Sequence, residues 1–444
     1  MLMKLNVFGM KVNVWAMAAL MSMGLCATAC SDSDDDSQNL GGGDATTVEM
    51  ENGATLTGGV KNGQTVILKE GYSFKLSGEY LVEAGGLLKI EPGVTIKAQN
   101  DDDTPDYIMV AMDGKIDAQG TADSPIVMTV ENYPAEGASL GGNGWCGVHI
   151  CGKAHTNKGT GTKSEIGGYP YGSGSSTAND NDNSGTMRYV RLECAGYAFS
   201  EETEANGLTL YGVGNGTTID HIQVYRGADD GVEFFGGSVN VKYLIVTDCE
   251  DDSFDWTEGW NGKAQFLVAD QRGTTAAKDN GDCLIEADNN GDDNAATPIA
   301  HPILANLTLI GNNSTEGTRG IRLREGTQAE IYNAIVTGKP NCLTVETEGT
   351  ESSLADGTSK LQYIVLGQNF SSAEGIYTQD MFLAEGNHNS VSATNIPSFA
   401  SNDFVGVIDG GATLSDSFFT TAAYCGAVSA DNSAWDLNKA WMRK

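Results

Sequence analysis

The chain has 444 residues, of which 57 are glycine and 9 are proline, a composition that indicates many tight turns instead of a proline-rich disordered chain. Its formal net charge of −33 repels nucleic-acid phosphates, which excludes nucleic acid as a partner. The same charge disfavours polyanionic ligands and favours divalent cations and neutral polymers.

Residues 1–29 are predicted to be a targeting segment. Lys4 and Lys11 precede a run of apolar residues, and an Ala-Thr-Ala sequence stands directly before Cys30. This sequence suits ordinary signal-peptidase cleavage, whereas a small residue before Cys30 suits a lipobox that lacks its usual leucine. The acidic run after Cys30 resembles the surface-export signal of Bacteroidota-type lipoproteins. We therefore expect a lipid anchor on Cys30, an acidic, glycine-rich tether over 30–50 and an outer-membrane, cell-surface location; a periplasmic or secreted protein is the alternative.

Short apolar patterns recur through the middle of the chain. One pattern occurs at 221–224, 243–246 and 265–268, where both steps are 22 residues. The other pattern has the form small-apolar-x-apolar, where x is any residue, and is clearest at 231–234 and 253–256. Two short half-buried strands per repeat, bounded by Gly, Asp and Asn turns, predict the coil of a parallel β-helix, which stacks on the next coil at about 4.8 Å. A β-propeller fits less well, because its blades need about 40–45 residues each.

The predicted fold is therefore all-β, a right-handed parallel β-helix with coils of about 22 residues. We place the β-helix at 51–370 and C-terminal coils with a capping region at 371–444. Long loops rich in Gly, Asn and Asp interrupt the repeat at 155–184 and 272–297. A solenoid ejects such insertions onto one face, where binding often occurs.

Several segments are similar to those of a family of secreted bacterial β-helix lipoproteins in the pectin-lyase-like superfamily. They are GLLKIEPGVTIKA (86–98), GKIDAQGTADSPIVMTV (114–130), GWCGVHICGKA (144–154), DNSGTMRYVRLECAG (182–196) and GTTIDHIQVYRGADDGVEFFGG (216–237). The resemblance covers 75–270 well and 300–444 loosely, and AAYCGAV with the later Trp435 resembles the closing segment of that family. It implies a fold and does not imply a particular reaction.

Two acidic stretches, ADDGVEFFGG (228–237) and EDDSFDWTEG (250–259), align without a gap. Strand alternation points Glu233 and Asp255 outward from neighbouring coils. The turns before them carry Asp229, Asp230, Asp251 and Asp252. Like charges this close raise one another's pKa unless a cation intervenes, so Ca²⁺ is the expected cofactor and these four aspartates are its candidate ligands. The alternative, which we favour for the turn aspartates, is that they cap turns by accepting backbone N–H groups; for Glu233 and Asp255, ligand contact and plain solvated surface are equally supported.

Aromatic residues accompany these carboxylates. Tyr211 and Phe235 are the next outward residues on adjacent coils, and Trp260 follows in a turn. Aromatic faces beside carboxylates bind neutral sugars by stacking and by hydrogen bonds to hydroxyls. The predicted partner is therefore a glycan or another surface polymer, although an ordinary surface aromatic packed under a loop would give the same pattern. The candidate ligand-binding residues are Tyr211, Glu233, Phe235, Asp255, Trp260 and Arg322.

Paired carboxylates also suit polysaccharide cleavage by a hydrolase or a lyase. The candidate catalytic residues for that alternative are Glu233, Asp255, Asp230 and Asp252. Polygalacturonases on this fold carry a neighbouring Asp pair, a Gly-His-Gly and an Arg-x-Lys. Here none of the 5 histidines has glycine on both sides, and Arg322 is the one basic candidate in the outward column. Cleavage is therefore the second hypothesis, and a structural adhesin without a small ligand is the third.

A second metal pattern lies in the first insertion. The sequence 180–185 copies the first half of an EF-type loop, with Asp180, Asp182 and Ser184 as ligands. Arg191 replaces the bidentate glutamate that completes such a loop, so at best a partial site is expected.

Seven cysteines remain beyond Cys30, an odd number that cannot all pair within one chain. They are Cys146, Cys151, Cys194, Cys249, Cys283, Cys342 and Cys425. Cys146 and Cys151 could form a local disulfide after export, and no CxxC pair of zinc spacing occurs. The protein is expected to be a monomer.

Overall fold

The computed structural model describes residues 46–99, 104–135, 138, 144–200, 203–273, 281–314, 317–399, 403–436 and 438–443. The predicted signal segment at 1–29, Cys30 and the tether up to residue 45 lie outside the described residues.

Short strands build two long parallel sheets, called sheet A and sheet B here. In the described residues sheet A contains β1 (Thr46–Glu49), β2 (Thr55–Leu56), β3 (Gln64–Leu68), β4 (Ser73–Leu76), β6 (Leu87–Ile90), β7 (Thr95–Ala98), β9 (Lys115–Gln119), β10 (Ile126–Val130), β12 (Gly185–Glu193), β16 (Thr218–Tyr225), β18 (Asn240–Thr247), β20 (Lys263–Asp270), β22 (Ile303–Ile310), β24 (Glu330–Thr337), β26 (Lys360–Leu366) and β28 (Ser390–Val391). Sheet B contains β5 (Glu79–Val82), β8 (Asp106–Val110), β11 (Trp145–Cys151), β15 (Leu208–Tyr211), β17 (Val232–Phe235), β19 (Phe254–Thr257), β21 (Ile285–Ala287), β23 (Arg319–Leu323), β25 (Asn341–Val345) and β27 (Asn369–Ser372).

A few small elements lie outside these sheets. Two antiparallel pairs are formed by β13 (Tyr197–Ser200) with β14 (Thr203–Ala205) and by β29 (Ile408–Asp409) with β30 (Tyr424–Cys425). Within the described residues the helices are α1 (Glu348–Ala355), α2 (Gln379–Phe382) and 3₁₀ turns at Thr177–Asn179, Glu385–Asn387, Ala393–Asn395 and Ser433–Trp435. Among the described residues, no helix is long and apolar enough to cross a membrane.

Strands of successive coils pair in parallel within each sheet, which confirms the right-handed parallel β-helix. On β17 and β19, Val232 pairs with Phe254 and Glu233 with Asp255, so the predicted 22-residue offset is the true register there. The apolar residues Val232 and Phe234 point inward as predicted and are at most 3% exposed. Their burial, repeated coil after coil, provides the continuous apolar core that holds the solenoid together.

One predicted register in sheet A is wrong by one residue. The repeat aligned Gln265 with Tyr243, but Lys242 pairs with Gln265 and Leu244 with Leu267. Phe266 therefore occupies the position equivalent to Tyr243, 23 residues later. The run Phe266-Leu267-Val268 is apolar throughout, so its pattern satisfies either alignment, and the backbone bend described next decides between them.

The strands of sheet A bend sharply from β12 onward. Before this point β9 and β10 are separate strands, whereas β12 pairs with β9 through residues 185–188 and with β10 through 190–192. Tyr189 lies at the bend, in the left-handed backbone region. The bend recurs in each following coil, with φ between 50° and 63°, at Tyr189, His221, Tyr243, Phe266, Asn306, Asn333 and Tyr363. Since this conformation is unfavourable for a residue with a side chain, packing of the bend must compensate for it.

The C-terminal segment 403–443 returns along the outer side of sheet A and covers this bend. The His221 ring lies 4.3 Å from that of Tyr189 and 4.4 Å from that of Tyr243, and Trp435 and Trp441 contact this stack edge-on. Arg443 N–H donates to the Gln223 side chain at 2.7 Å. The region predicted to close the end of the solenoid therefore also covers its side.

All seven described cysteines are buried and unpaired, so the hypothetical Cys146–Cys151 disulfide is wrong. The Cys151 Sγ lies 3.8 Å from the Met109 Sδ, while the Cys146 Sγ faces the Gly144 carbonyl at 3.7 Å. The two cysteines lie near opposite ends of the extended β11, which keeps their sulfur atoms apart. Burial also raises the pKa of the Cys151 thiol to about 12, which keeps it protonated and unreactive.

Candidate functional site

Sheet B stacks one outward polar residue per coil into a column. Its members, in register order, are Thr209, Glu233, Asp255, Glu286, Arg322 and Thr344. The predicted stacking of Glu233 on Asp255 and the place of Arg322 in the same column are confirmed. Glu286 was missed, because the insertion before β21 interrupts the repeat; the apolar-x-apolar pattern Ile285-Glu286-Ala287 is the signal that would have found it.

The turn before the column contains stacked aspartates that cap one another's coils. The Asp252 N–H donates to the Asp230 Oδ1 at 2.9 Å, and the Cys283 N–H donates to the Asp252 Oδ1. Asp230 and Asp252 therefore have the predicted turn-capping role. This role uses one oxygen of each carboxylate and leaves the other oxygen for a further contact.

The carboxylates of the turn and of the column converge. We call them the acidic cluster: Glu204, Asp229, Asp230, Glu233, Asp251, Asp252, Asp255 and Glu286. Three subsets bring one oxygen from each residue within 4.8 Å of the others, namely Asp230–Glu233–Asp255, Glu204–Asp229–Asp251 and Asp230–Asp251–Asp252. Oxygen ligands about 2.4 Å from a Ca²⁺ ion can be at most about twice that distance apart, a condition that each subset meets.

Several buried polar atoms of this region have no hydrogen-bond partner within the described residues. They include the Asp229 Oδ2, the Asp255 Oδ1, the Thr209 Oγ1 and the Ser253 Oγ. A buried polar atom without a partner is unfavourable by about 1–3 kcal/mol. Such atoms beside converging carboxylates are the feature that a bound cation, with its water ligands, would satisfy.

Burial and mutual repulsion disfavour ionisation of the acidic cluster. Burial raises the pKa of Asp229 to about 8, and the charges of Glu204 and Asp251 add to the shift. Burial also raises the pKa of Asp251 to about 7, with Asp282 as the next cause. The pKa values of Asp230, Glu233, Asp252 and Asp255 are raised well above their ordinary range, first by burial and then by neighbouring carboxylates. At neutral pH the cluster must hold protons or a cation.

The predicted exposed aromatic face does not exist. Tyr211 and Phe235 are adjacent as predicted, with ring centroids 4.7 Å apart, but they are only 0% and 7% exposed. The first insertion folds back over them and places Tyr171 against Tyr211 at 5.1 Å. The proposed contact of Tyr211 and Phe235 with a ligand is therefore wrong, because the loop occupies that face. Glu233 is also buried, at 9% exposure, and accepts a hydrogen bond from Asn206.

Trp260 is likewise not a ligand-binding residue. Its ring lies inside the β-helix, 4.1 Å from that of Phe234 and 1% exposed. The indole N–H donates to the Val239 carbonyl at 3.2 Å. The turn after β19 directs this side chain inward, a direction that the sequence pattern did not reveal.

Two arginines terminate the negative part of the column. Arg322 forms ion pairs with Glu286 at 2.8 Å and with Glu346 at 3.0 Å. Arg324 pairs with Glu286 at 2.6 Å and with Asp288 at 2.8 Å. Arg322 is therefore already held by two carboxylates, and together with Arg324 it neutralises one end of the acidic face.

The EF-type loop does not form a metal site. Asp180 accepts hydrogen bonds from the backbone N–H and the ring of His155, at 3.1 and 2.8 Å, and Asp182 accepts the Lys153 N–H at 3.0 Å. Ser184 is buried at 3% exposure, and its N–H donates to Thr217. The prediction for Asp180, Asp182 and Ser184 is wrong, because the two carboxylates accept N–H groups of Lys153 and His155 and the Ser184 N–H donates to Thr217.

A parallel β-helix with carboxylates stacked on one outer face belongs, by architecture, to the pectin-lyase-like class of solenoids. The chain belongs to a specific family within that class, since the family model described as a pectate-lyase like beta helix domain matches residues 58–403. No curated protein and no solved structure matched the chain.

Proposed function

We propose that this protein binds Ca²⁺ in the acidic cluster and, with the ion in place, binds a neutral glycan or another hydroxyl-rich surface polymer on the outer face of sheet B. The observation that carries the proposal is the convergence of Asp230, Glu233 and Asp255 within 4.8 Å. The Asp255 Oδ1 has no partner in the described part of the chain. Three carboxylates this close repel one another strongly when ionised. The attraction of each carboxylate to a divalent cation between them outweighs that repulsion.

The ligand chemistry favours Ca²⁺ over a transition metal. The convergent groups are almost all carboxylates, which hard cations prefer, and Ca²⁺ accepts the irregular geometry that turns provide. Cys283 lies beside Asp252 and Glu286, but burial raises the pKa of its thiol well above the ordinary value. A protonated thiol is a poor metal ligand, so this sulfur does not favour zinc.

The polymer would bind at the less buried end of the outer face of sheet B. Glu286, Arg322 and Arg324 are only partly covered, with side-chain exposures of 13%, 16% and 25%. Their ion pairs present donors and acceptors side by side, and sugar hydroxyls can both donate to carboxylates and accept from guanidinium groups. The acidic surface favours a neutral polymer over a polyuronate.

Cleavage by the candidate residues Glu233, Asp255, Asp230 and Asp252 is less well supported than binding. The Asp230–Glu233–Asp255 oxygens lie within 4.8 Å, whereas glycosidase carboxyl pairs are about 5–5.5 Å apart in retaining and about 6.5–9.5 Å apart in inverting enzymes. Glu233, Asp230 and Asp252 are at most 9% exposed, which restricts access of a sugar chain to them. Lyase chemistry needs a basic proton acceptor, and Arg322 is held by two carboxylates.

A glycan panel tests this function. Wild type should be retained by at least one neutral glycan in CaCl₂ and lose retention at least tenfold in EDTA. The double variant Glu233→Gln/Asp255→Asn should show the same loss in CaCl₂, whereas a control pair at exposed carboxylates, Glu70→Gln/Asp409→Asn, should bind normally. Equal retention of wild type and the site variant on every ligand would refute the site. Release of new reducing ends or unsaturated products would support the enzyme, and Ca²⁺ binding without any retained glycan would support the structural adhesin.

We also propose that Cys30 carries a lipid that anchors the protein to the outer membrane at the cell surface. The support is the sequence around Cys30, which combines a small preceding residue with a following acidic run. Cys30→Ala should move the protein from the membrane fraction to the soluble fraction while leaving its circular dichroism spectrum unchanged. A Cys30→Ala protein that stays in the membrane fraction would show that the anchor lies elsewhere.

A further inference from the structure

A cavity of about 360 Å³ opens beside the amino-terminal strands of sheet B, and its described lining contains no residue of the acidic cluster. Three parts of the chain line it. Strands β5 and β8 contribute Glu79 and Tyr107, the first insertion contributes Glu165, and the β13–β14 hairpin contributes Phe199. Its volume is within the range of small-molecule sites.

The charged groups on the cavity wall are all negative. Glu79 and Glu165 line the cavity, and its described lining contains no lysine, arginine or histidine. The Glu79 Oε1 accepts hydrogen bonds from the hydroxyls of Tyr107 at 2.8 Å and Tyr169 at 2.7 Å. These two bonds fix the carboxylate and hold the Tyr107 ring in the wall. Withdrawal from water, with the charges of Glu258 and Glu204, raises the pKa of Glu165 to about 7, and the charge of Lys158 offsets this shift only in part.

The wall also presents aromatic surface. Phe199 is 42% exposed, the largest value among the exposed large hydrophobic side chains in the described residues. Tyr107 packs edge-on against the buried His149 ring at 6.0 Å, which fixes its position. Aromatic faces attract cations through their quadrupole, and aromatic rings also pack against apolar stems and methyl groups.

We propose that this cavity binds a small organic cation, an ammonium group on a short apolar stem, with Glu79 and Glu165 facing the charge and Tyr107 and Phe199 facing the stem. An anion would meet two carboxylates and a chain of net charge −33. A neutral sugar would leave both carboxylates without a counter-charge. An organic cation matches the charge and the aromatic surface together, and this site does not depend on the function proposed for the acidic cluster.

Calorimetry with the full-length protein in EDTA tests the site, since EDTA keeps divalent ions out of the acidic cluster. The probes are choline, ethanolamine and 3,3-dimethyl-1-butanol, which has the shape of choline without its charge. Choline should bind at least tenfold more tightly than 3,3-dimethyl-1-butanol, and ethanolamine should bind detectably. Equal affinity for choline and its neutral isostere would overturn the proposal, as would the absence of binding for both amines.

Two variants locate the binding. Glu79→Gln removes the charge and keeps the shape, and Phe199→Ala removes a ring that is 42% exposed. Each should weaken choline binding at least tenfold, while the controls Glu70→Gln and Ile376→Ala, both at exposed positions, should not. If Glu79→Gln perturbs the packing of Tyr107 and Tyr169 and loses the native melting curve, Phe199→Ala decides alone. Unchanged binding in Phe199→Ala, or loss of binding in Asp255→Asn, would place the ammonium site elsewhere.

Discussion

In EDTA the thermal stability of the protein should fall as the pH rises from 5 to 9, and millimolar Ca²⁺ should abolish that fall. In the folded protein the pKa of Asp229 is raised to about 8 and that of Asp251 to about 7, whereas both are near 4 in an unfolded chain. Between these values the folded state binds more protons than the unfolded state, so the free energy of unfolding falls as the pH rises. Each such group contributes roughly 1.4 kcal/mol per pH unit at most.

Ca²⁺ should abolish this fall in stability because it binds the ionised carboxylates of the folded state. Free Ca²⁺ at 100 times its dissociation constant adds about 2.7 kcal/mol to the free energy of unfolding. The measurement is a series of melting curves against pH, with and without Ca²⁺, and with Mg²⁺ as the ion of more rigid geometry. Asp255→Asn should lose most of the Ca²⁺ response, and the exposed control Asp409→Asn should keep it. If the melting temperature of the wild-type protein changed with neither pH nor Ca²⁺, the cation site would be contradicted.

Trp260→Ala should lower the free energy of unfolding by about 3–5 kcal/mol, the usual effect of truncating a large buried aromatic residue. Trp260 is 1% exposed, stacks on Phe234 at 4.1 Å and donates its N–H to the Val239 carbonyl. The substitution therefore leaves a cavity in the core and an unsatisfied carbonyl. Phe199→Ala, at an exposed ring, should change stability by only about 0.5 kcal/mol or less.

Urea denaturation of the two variants followed by circular dichroism measures this difference. Because each coil contacts mainly its neighbours, the midpoint of the transition is a safer measure than a two-state free energy if the curve broadens. The variant Trp260→Phe should recover part of the loss, since it keeps the stacking and loses the hydrogen bond. If Trp260→Ala melted like wild type but failed to bind glycans, the residue would have a ligand role after all.

The first insertion covers part of sheet B, so outward residues of the solenoid there are buried and their carboxyl groups have raised pKa values. Alternation along β17 correctly separates inward Val232 from outward Glu233, yet outward positions there are not exposed. The first insertion reaches the face through contacts of high sequence separation, such as the 2.7 Å bond from the Tyr171 hydroxyl to Glu258. Covering the face withdraws the carboxylates from water, and this withdrawal is the first cause of their raised pKa values.

Much of the fold follows from the sequence alone, because a parallel β-helix repeats its local interactions. The sequence alone shows the offset of 22 residues that aligns Asp230 with Asp252. The structure places these two residues on adjacent coils, where the Asp252 N–H donates a hydrogen bond to the Asp230 carboxylate. Period-two alternation sets which residues enter the core, and like charges at this spacing already indicate a site that attracts a cation. These features depend on residues within one coil or on adjacent coils.

Features that depend on distant or irregular segments could not be predicted from the repeat and are seen in the folded chain. Glu286 joins the column after an insertion whose length the repeat does not set. The Trp260 side chain points inward from a turn whose direction has no periodic signal in the sequence. Phe266 occupies the position equivalent to Tyr243 because the backbone bend fixes the register. The cavity lined by Glu79, Glu165 and Phe199 needs three segments that share no repeat. The coil and its charge pattern can be predicted from the residues alone, since both arise from neighbouring residues. Which side chains stay accessible depends on the folded chain, since burial arises from the docking of loops whose own sequences carry no regular pattern.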